Sequence, residues 1–195
     1  MRKTEITVQV FDKLLDIEKG LAKNGYHKKE EYCLRDHYFT KFENAKIVDY
    51  KTLLASSILI RTIEEDEKCT HCMIYKNKKL DQNGNVSSEE KIRVKIDDEQ
   101  NCINILRSAG LNNWCNLKND NIVYVDKSGF EIDLQLVDGL GIFIEAEEDQ
   151  SIRELSEKQK FDYLKNKITS FGFCLGKDYS CKKPYMILQN KKTRQ

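Results

Sequence analysis

The sequence predicts an α+β protein built on about eight strands, largely antiparallel, with helices interleaved between them. Three observations carry this expectation. Apolar and polar residues alternate with a period of two in segment after segment, the pattern of strands with one buried face. The stretches DQNGN at 81–85 and DKSG at 126–129 have the turn chemistry of hairpins, which join antiparallel neighbours. Between the strands, three segments repeat apolar residues at helical spacing beside capping and stop residues.

Residues 4–11 set Ile6, Val8 and Val10 on one strand face and Glu5, Thr7 and Gln9 on the other. Asp12 is a suitable cap for a helix over 13–24, with Leu14, Ile17 and Leu21 on one side and Gly25 as its stop. Residues 30–40, with Tyr32, Tyr38 and Phe39, read as a strand, as do 57–64, 69–78 and 86–97. Cys102, Ile105 and Leu106 then mark a helix over 98–109 that ends at Gly110. Residues 121–126, 130–137 and 142–149 complete the strands. Ser151-x-x-Glu154 has the form of a capping box opening a helix over 152–171, with Ile152, Leu155, Leu164, Ile168 and Phe171 as its stripe. Residues 189–195 read as a polar tail, which leaves 1–188 as one domain without an internal repeat or linker.

Composition removes several classes of function. The 195 residues include 33 Lys+Arg and 32 Asp+Glu, a net charge of +1 that argues against a general nucleic-acid binder. The chain is 39% hydrophobic, enough for one core, and no run approaches the roughly 18 apolar residues of a membrane helix. No basic-then-apolar leader is present, so a cytoplasmic protein is expected; nothing in the sequence sets an oligomeric state. Seven cysteines, an odd number, fit reduced thiols. Cys69-Thr70-His71-Cys72 has the spacing of half a zinc site, but no second half follows, and Cys72 is better read as a small buried hydrophobe. His27, His37 and His71 stand beside no nucleophile motif, so a hydrolytic triad has no support.

The unusual feature is the charge on the strands. Glu5/Thr7/Gln9, Glu89/Lys91/Arg93/Lys95, Glu131/Asp133/Gln135 and Glu145/Glu147 lie opposite the apolar faces. In an open sheet these are solvated charges, the ordinary case for antiparallel sheets. In a sheet curled into a barrel they line an interior holding both signs, suited to a polyanion gripped by Lys and Arg with a divalent metal held by carboxylates. The residues by themselves leave both arrangements open.

The segment VDGLGIFIEAE at 137–147 resembles the V-x-G-L-G-x-F-x-E-x-E segment of the CYTH superfamily, the triphosphate tunnel proteins, which include class IV adenylyl cyclases, thiamine triphosphatases and inorganic triphosphatases. Weaker pieces follow in family order: Glu5-x-Thr7-x-Gln9 for Glu-x-Glu-x-Lys, Asp36-His37-Tyr38-Phe39 for D-x-Y-F, Ile60-Arg61 for the end of L-R-I-R, Tyr75-Lys76 for T-y-K, and Lys183-Pro184-Tyr185-Met186 for a closing S-Y segment. The resemblance covers nearly the whole chain. It implies a closed or nearly closed eight-stranded antiparallel β tunnel with flanking helices.

It also implies a ligand, a small-molecule triphosphate or polyphosphate compound, bound with Mg²⁺ or Mn²⁺. Glu5, Glu145 and Glu147, with Asp133 on the same face, are the expected metal ligands. Arg61, Lys76, Lys91 and Arg93 are the expected phosphate-binding cations. The departures lie at Thr7, Gln9, Leu59 and Gln135, where the family carries charge, near Asn119-Asp120-Asn121, where it has a basic pair, and on strand 86–97, where Glu89, Lys91 and Arg93 invert the signs of the family's Arg, Glu and Glu. Gln9 can supply neither a cation nor a base. If the site is active, hydrolysis of the terminal phosphate therefore ranks above adenylate cyclase chemistry. The alternative is a non-catalytic ligand-binding protein on the same scaffold. No catalytic residue is assigned.

Overall fold

Eight strands and five α-helices follow one another along the described part of the chain. The structure, a computed structural model, describes residues 4–80 and 86–193, and the side chains of 4–75 and 91–190. The expected DQNGN turn at 81–85 lies outside the described residues. In chain order the elements are β1 (Glu5–Val10), α1 (Leu14–Lys23), β2 (His27–Thr40), α2 (Tyr50–Ala55), β3 (Ile58–Glu65), β4 (Lys68–Leu80), β5 (Val86–Ile96), α3 (Glu99–Ser108), β6 (Asn112–Val125), β7 (Glu131–Val137), β8 (Gly141–Glu147), α4 (Glu157–Thr169) and α5 (Lys183–Thr193). The strands form one ladder in the order β1-β8-β7-β6-β2-β3-β4-β5. The expected α+β class and eight antiparallel strands are present, but among the described residues hydrogen bonds do not close the ladder into a ring. No described helix is long and apolar enough to cross a membrane.

The chain folds as two units, Met1–Tyr32 with Asn119–Lys182, and Cys33–Lys118 with Lys183–Gln195. In the first unit, alternation does what the sequence requires. Ile6 and Val8 of β1, Ile132 and Leu134 of β7, and Ile144 of β8 are fully buried in one cluster with Ile17 and Leu21 of α1 and Leu164 and Ile168 of α4. Each such side chain contributes about 1.5–3 kcal/mol by leaving water. The charged residues of the same strands are thereby turned to the opposite face.

Two helix starts differ from expectation. Asp12 does not cap α1; its Oδ2 accepts the Cys174 amide at 2.6 Å instead, tying the start of the helix to a later loop. The capping box of α4 is Ser156 with Gln159, five residues beyond the expected one. Ser151 is taken by a short 3₁₀ turn, where Asp149 accepts both its amide and its hydroxyl. Ile152 is nevertheless buried at 3%, so the apolar stripe marks burial there but not helix.

The turn joining β6 to β7 is held by one carboxylate. Asp126 accepts the amides of Ser128 and Phe130, the Ser128 hydroxyl and the Lys167 ammonium, at 2.5–3.1 Å. Burial by itself would raise the Asp126 pKa, but these donors outweigh it and hold the carboxyl well below the usual range. A depressed folded-state pKa stabilises above the unfolded value near 4 and loses that contribution as pH falls through the folded value. Asp126→Asn is therefore expected to remove about 2 kcal/mol at pH 7. The difference between variant and wild type should shrink in urea unfolding repeated below pH 4.

In the second unit, Phe39 and Ile60 pack under Ile103 and Leu106 of α3, which Asp98 caps by accepting the Asn101 amide. The apolar face of α3 includes Ile103 in place of the expected Ile105, which is 65% exposed. Tyr38, Leu59, Cys72 and Ile74 cluster on the other face of these strands. A third cluster joins Leu53 of α2, Trp114 and Cys115 of β6 and Leu188 of α5. Neither α2 nor α5 follows from the sequence pattern, and α5 runs into residues read as a tail. Cys69 is exposed while Cys72 is buried. Residues three apart on a strand point to opposite faces, so the CTHC motif cannot gather both thiols on one zinc.

Candidate functional site

Strand register sorts the polar face of the first unit into rungs. Glu5 lies opposite Glu147, and Thr7 opposite Glu145, which in turn lies opposite Asp133. The next rung runs Gln9, Phe143, Gln135, Asn121. Acids therefore occupy one end of the face, and amides flank the buried Phe143 at the other.

At the acid end, carboxylate oxygens of Glu5, Glu145 and Glu147 lie within 4.8 Å of one another. Mg²⁺ holds oxygens at about 2.1 Å in an octahedron, which sets its ligand atoms roughly 3–4 Å apart. Small side-chain movements reach that spacing, and three hard oxygen donors suit Mg²⁺ or Mn²⁺. Thr7, buried at 2% where the resembled family has a second acid, donates its hydroxyl to Glu145 Oε2 at 3.1 Å. It orients that carboxylate without adding charge. Asp133 Oδ2 accepts from Gln135 Nε2 at 2.7 Å and from the Tyr32 hydroxyl at 3.2 Å, which holds the fourth expected acid beside the cluster.

A cavity of about 680 Å³ opens here, lined by Glu30, Glu131, Asp133, Glu145, Glu147, Glu148 and Asp149 against a single guanidinium, Arg153. Lys29 pairs with Glu131 and Lys160 with Glu148, which still leaves an excess of carboxylates and a setting for positive charge. Glu131 is visible in the strand alternation. The strand expected over 142–149 ends at Glu147, so Glu148 and Asp149, like Arg153, lie past β8, where period-two reasoning does not apply.

At the amide end, Gln9 donates its Nε2 to the Leu140 carbonyl at 2.8 Å. That clasp ties β1 to the turn between β7 and β8, where Gly139 and Gly141 have φ of +76° and +99°, conformations L side chains rarely adopt. The G-L-G of the 137–147 segment is thus a backbone requirement. Asn119 and Asn121, buried at 2% and 1%, bond to each other, and Asn121 also donates to the Tyr32 carbonyl. Where the resembled family has cations, this face has mutually satisfied amides.

The expected phosphate-binding residues all lie in the second unit. Arg61 donates Nε and Nη2 to Asp36 at 2.7 and 2.6 Å, and Asp36 is 1% exposed. Burial works against the guanidinium charge, but the donations to Asp36 prevail and hold the Arg61 pKa above its ordinary value. Burial, reinforced by the Asp36 charge, pushes the Tyr38 phenol well above its own. Arg93 pairs across the ladder with Ile74, and Ile74 with Leu59, so Lys91 and Arg93 share the Asp36–Arg61 face, both exposed. Lys76 lies in β4, but its side chain falls outside the described residues.

No family model and no curated protein matches the sequence. Solved structures do match in fold. A protein from Pyrococcus horikoshii OT3 is 17% identical, with a TM-score of 0.68 over 98% of this chain and 99% of its own. A candidate adenylate cyclase from Vibrio parahaemolyticus is 15% identical, with a TM-score of 0.63 over 97% and 99%. A candidate adenylyl cyclase from Hippeastrum, described as having a dominant triphosphatase activity, is 15% identical, with a TM-score of 0.61 over 97% and 96%. The chain shares the fold of these solved structures, two of them candidate adenylyl cyclases.

Proposed function

We propose that this protein binds a triphosphate or polyphosphate compound together with Mg²⁺ or Mn²⁺ and hydrolyses its terminal phosphate. The observation that carries the proposal is the Glu5–Glu145–Glu147 cluster on the acid rungs of a triphosphate-tunnel fold. Glu5, Glu145 and Glu147 would hold the metal, with Asp133 beside them. The metal would neutralise phosphate charge and so lower the barrier to phosphoryl transfer. Without it, the excess of acids lining the cavity would repel a polyanion. Binding is therefore expected to require the metal.

On the chain's side, Thr7 and Gln135 keep Glu145 and Asp133 in place through hydrogen bonds. Gln9 is engaged with the Leu140 carbonyl and has no basic group to take a ribose proton, which ranks hydrolysis above cyclisation. In the second unit, Lys91 and Arg93 are proposed to grip phosphate oxygens, with Arg61 limited by its pairing to Asp36.

The test is phosphate release and cyclic AMP formation from tripolyphosphate, thiamine triphosphate and ATP, each with Mg²⁺ or Mn²⁺ and with chelator. Metal-dependent phosphate release without cyclic AMP is expected. No turnover under any condition would sink the enzyme. Tripolyphosphate affinity that persists in that case and is lost in Lys91→Ala or Arg93→Ala would leave a binding protein.

A further inference from the structure

Lys160 lies on α4 with only 3% of its surface exposed, an unusual place for a lysine. Its Nζ lies 3.1 Å from Glu148 Oε2 and 3.5 Å from Glu157 Oε1. The same Glu148 oxygen accepts the Thr4 amide at 2.8 Å, the Glu148 amide returns a bond to the Thr4 carbonyl at 2.8 Å, and the Thr4 hydroxyl donates to Glu157 at 2.8 Å. This network fastens three chain segments: the start of β1, the end of β8 and the first turn of α4. Its position gives it meaning. Thr4 and Glu148 are the residues next to Glu5 and Glu147, which face each other on the last rung of the β1–β8 ladder. Two like charges directly opposite push a strand end apart. Here that end is clamped from behind by a buried ammonium.

We propose that Lys160 is a positioning residue for the metal centre: through Glu148 it holds the Glu5–Glu147 rung closed so that both carboxylates reach one ion. The proposal rests on the metal-binding reading above. Glu148 also borders the acidic cavity, so Lys160 has a second effect, which is to subtract negative charge from the neighbourhood of the ion. The two effects predict opposite outcomes when Lys160 is removed. Lost positioning weakens divalent-ion binding, by about tenfold on the scale of residues that support metal ligands from behind. Lost positive charge alone tightens it.

The deciding experiment is a calorimetric titration of the full chain with Mn²⁺ alone, for wild type, Lys160→Met and the double variant Glu148→Gln/Lys160→Met. The double variant leaves no buried carboxylate without its cation, and the side-chain amide introduced by Glu148→Gln can still accept from the Thr4 N–H. It therefore stays foldable if the single variant does not. Weaker Mn²⁺ binding in whichever variants fold by circular dichroism is expected. Wild-type binding matched or exceeded by the folded variants overturns the role of Lys160 and leaves the metal centre standing. Absence of Mn²⁺ binding by the wild type overturns both.

Discussion

A Glu145→Gln/Glu147→Gln protein is expected to lose metal-dependent phosphate release by about 10²-fold or more while its stability without metal changes by no more than about 1 kcal/mol. The activity loss follows from neutralising two of the three carboxylates whose oxygens lie within 4.8 Å of one another, since a single preorganised charge is typically worth about 10²–10³ in rate. The stability effect follows from the ladder. Glu147 opposes Glu5, and Glu145 opposes Asp133, so each substitution relieves one cross-strand repulsion, which offsets part of what the other contacts of these carboxylates contribute. Cross-strand pairs are worth about 0.2–1 kcal/mol. The Thr7 hydroxyl retains an acceptor, because an amide oxygen replaces the Glu145 carboxylate. Thermal unfolding with and without Mn²⁺ reads both effects. Wild type should gain stability with Mn²⁺, by about 2.7 kcal/mol at a hundred times its dissociation constant, and the variant should gain none. Equal Mn²⁺ stabilisation of both proteins would place the ion elsewhere.

Strand alternation makes most of this legible. Ile6 and Val8 against Glu5 and Thr7, or Ile144 against Glu145, need only a period of two to be assigned to core or polar face, and the buried cluster confirms each. The grouping of Glu5 with Glu145 and Glu147 needs more. It requires β1 to pair with β8, a contact between residues some 140 positions apart that no local pattern encodes, and only the resemblance of 137–147 brings them together. What stays hidden has local causes. Asp12 and Ser151 have the chemistry of helix caps, yet Asp12 is claimed by the Cys174 amide and Ser151 by Asp149. Capping patterns state what a side chain can do, while tertiary neighbours decide what it does. Lys160 is hidden for a similar reason: on α4 it reads as a solvated charge until Glu148 is seen behind it.

The departures at Thr7, Gln9, Asn119, Asn121 and Gln135 acquire a common interpretation from their bonding. Each is a neutral group with a partner on its own face: Thr7 on Glu145, Gln135 on Asp133, Gln9 on the Leu140 carbonyl, and the two asparagines on each other. The face has therefore exchanged long-range charge for short-range hydrogen bonding. Such bonds orient acids well but attract a polyanion weakly, so under the proposed function more of the anion attraction would fall to the metal.

Arg61→Met is expected to destabilise the protein by about 3–5 kcal/mol, far more than the loss of any exposed cation. Asp36 is 1% exposed, and Arg61 meets it through two hydrogen bonds of 2.7 and 2.6 Å, with the Tyr38 hydroxyl donating to the same carboxylate. Removing the guanidinium leaves a buried carboxylate with one neutral donor among those three bonds. A double variant, Asp36→Asn/Arg61→Met, should recover much of the loss, because the charge that lacked compensation goes with its partner. Lys91→Ala and Arg93→Ala should behave in the opposite way. Both side chains are exposed, so each should alter stability by no more than about 0.5 kcal/mol, while a phosphate-gripping role would appear as a loss of tripolyphosphate affinity of about tenfold. Urea unfolding and a tripolyphosphate titration on the same four proteins sort the cations into those that hold the fold and those that hold the ligand. Should Arg61→Met unfold at the wild-type urea concentration and lose affinity instead, Arg61 would belong with the phosphate-binding group, and Asp36 would be its positioning partner.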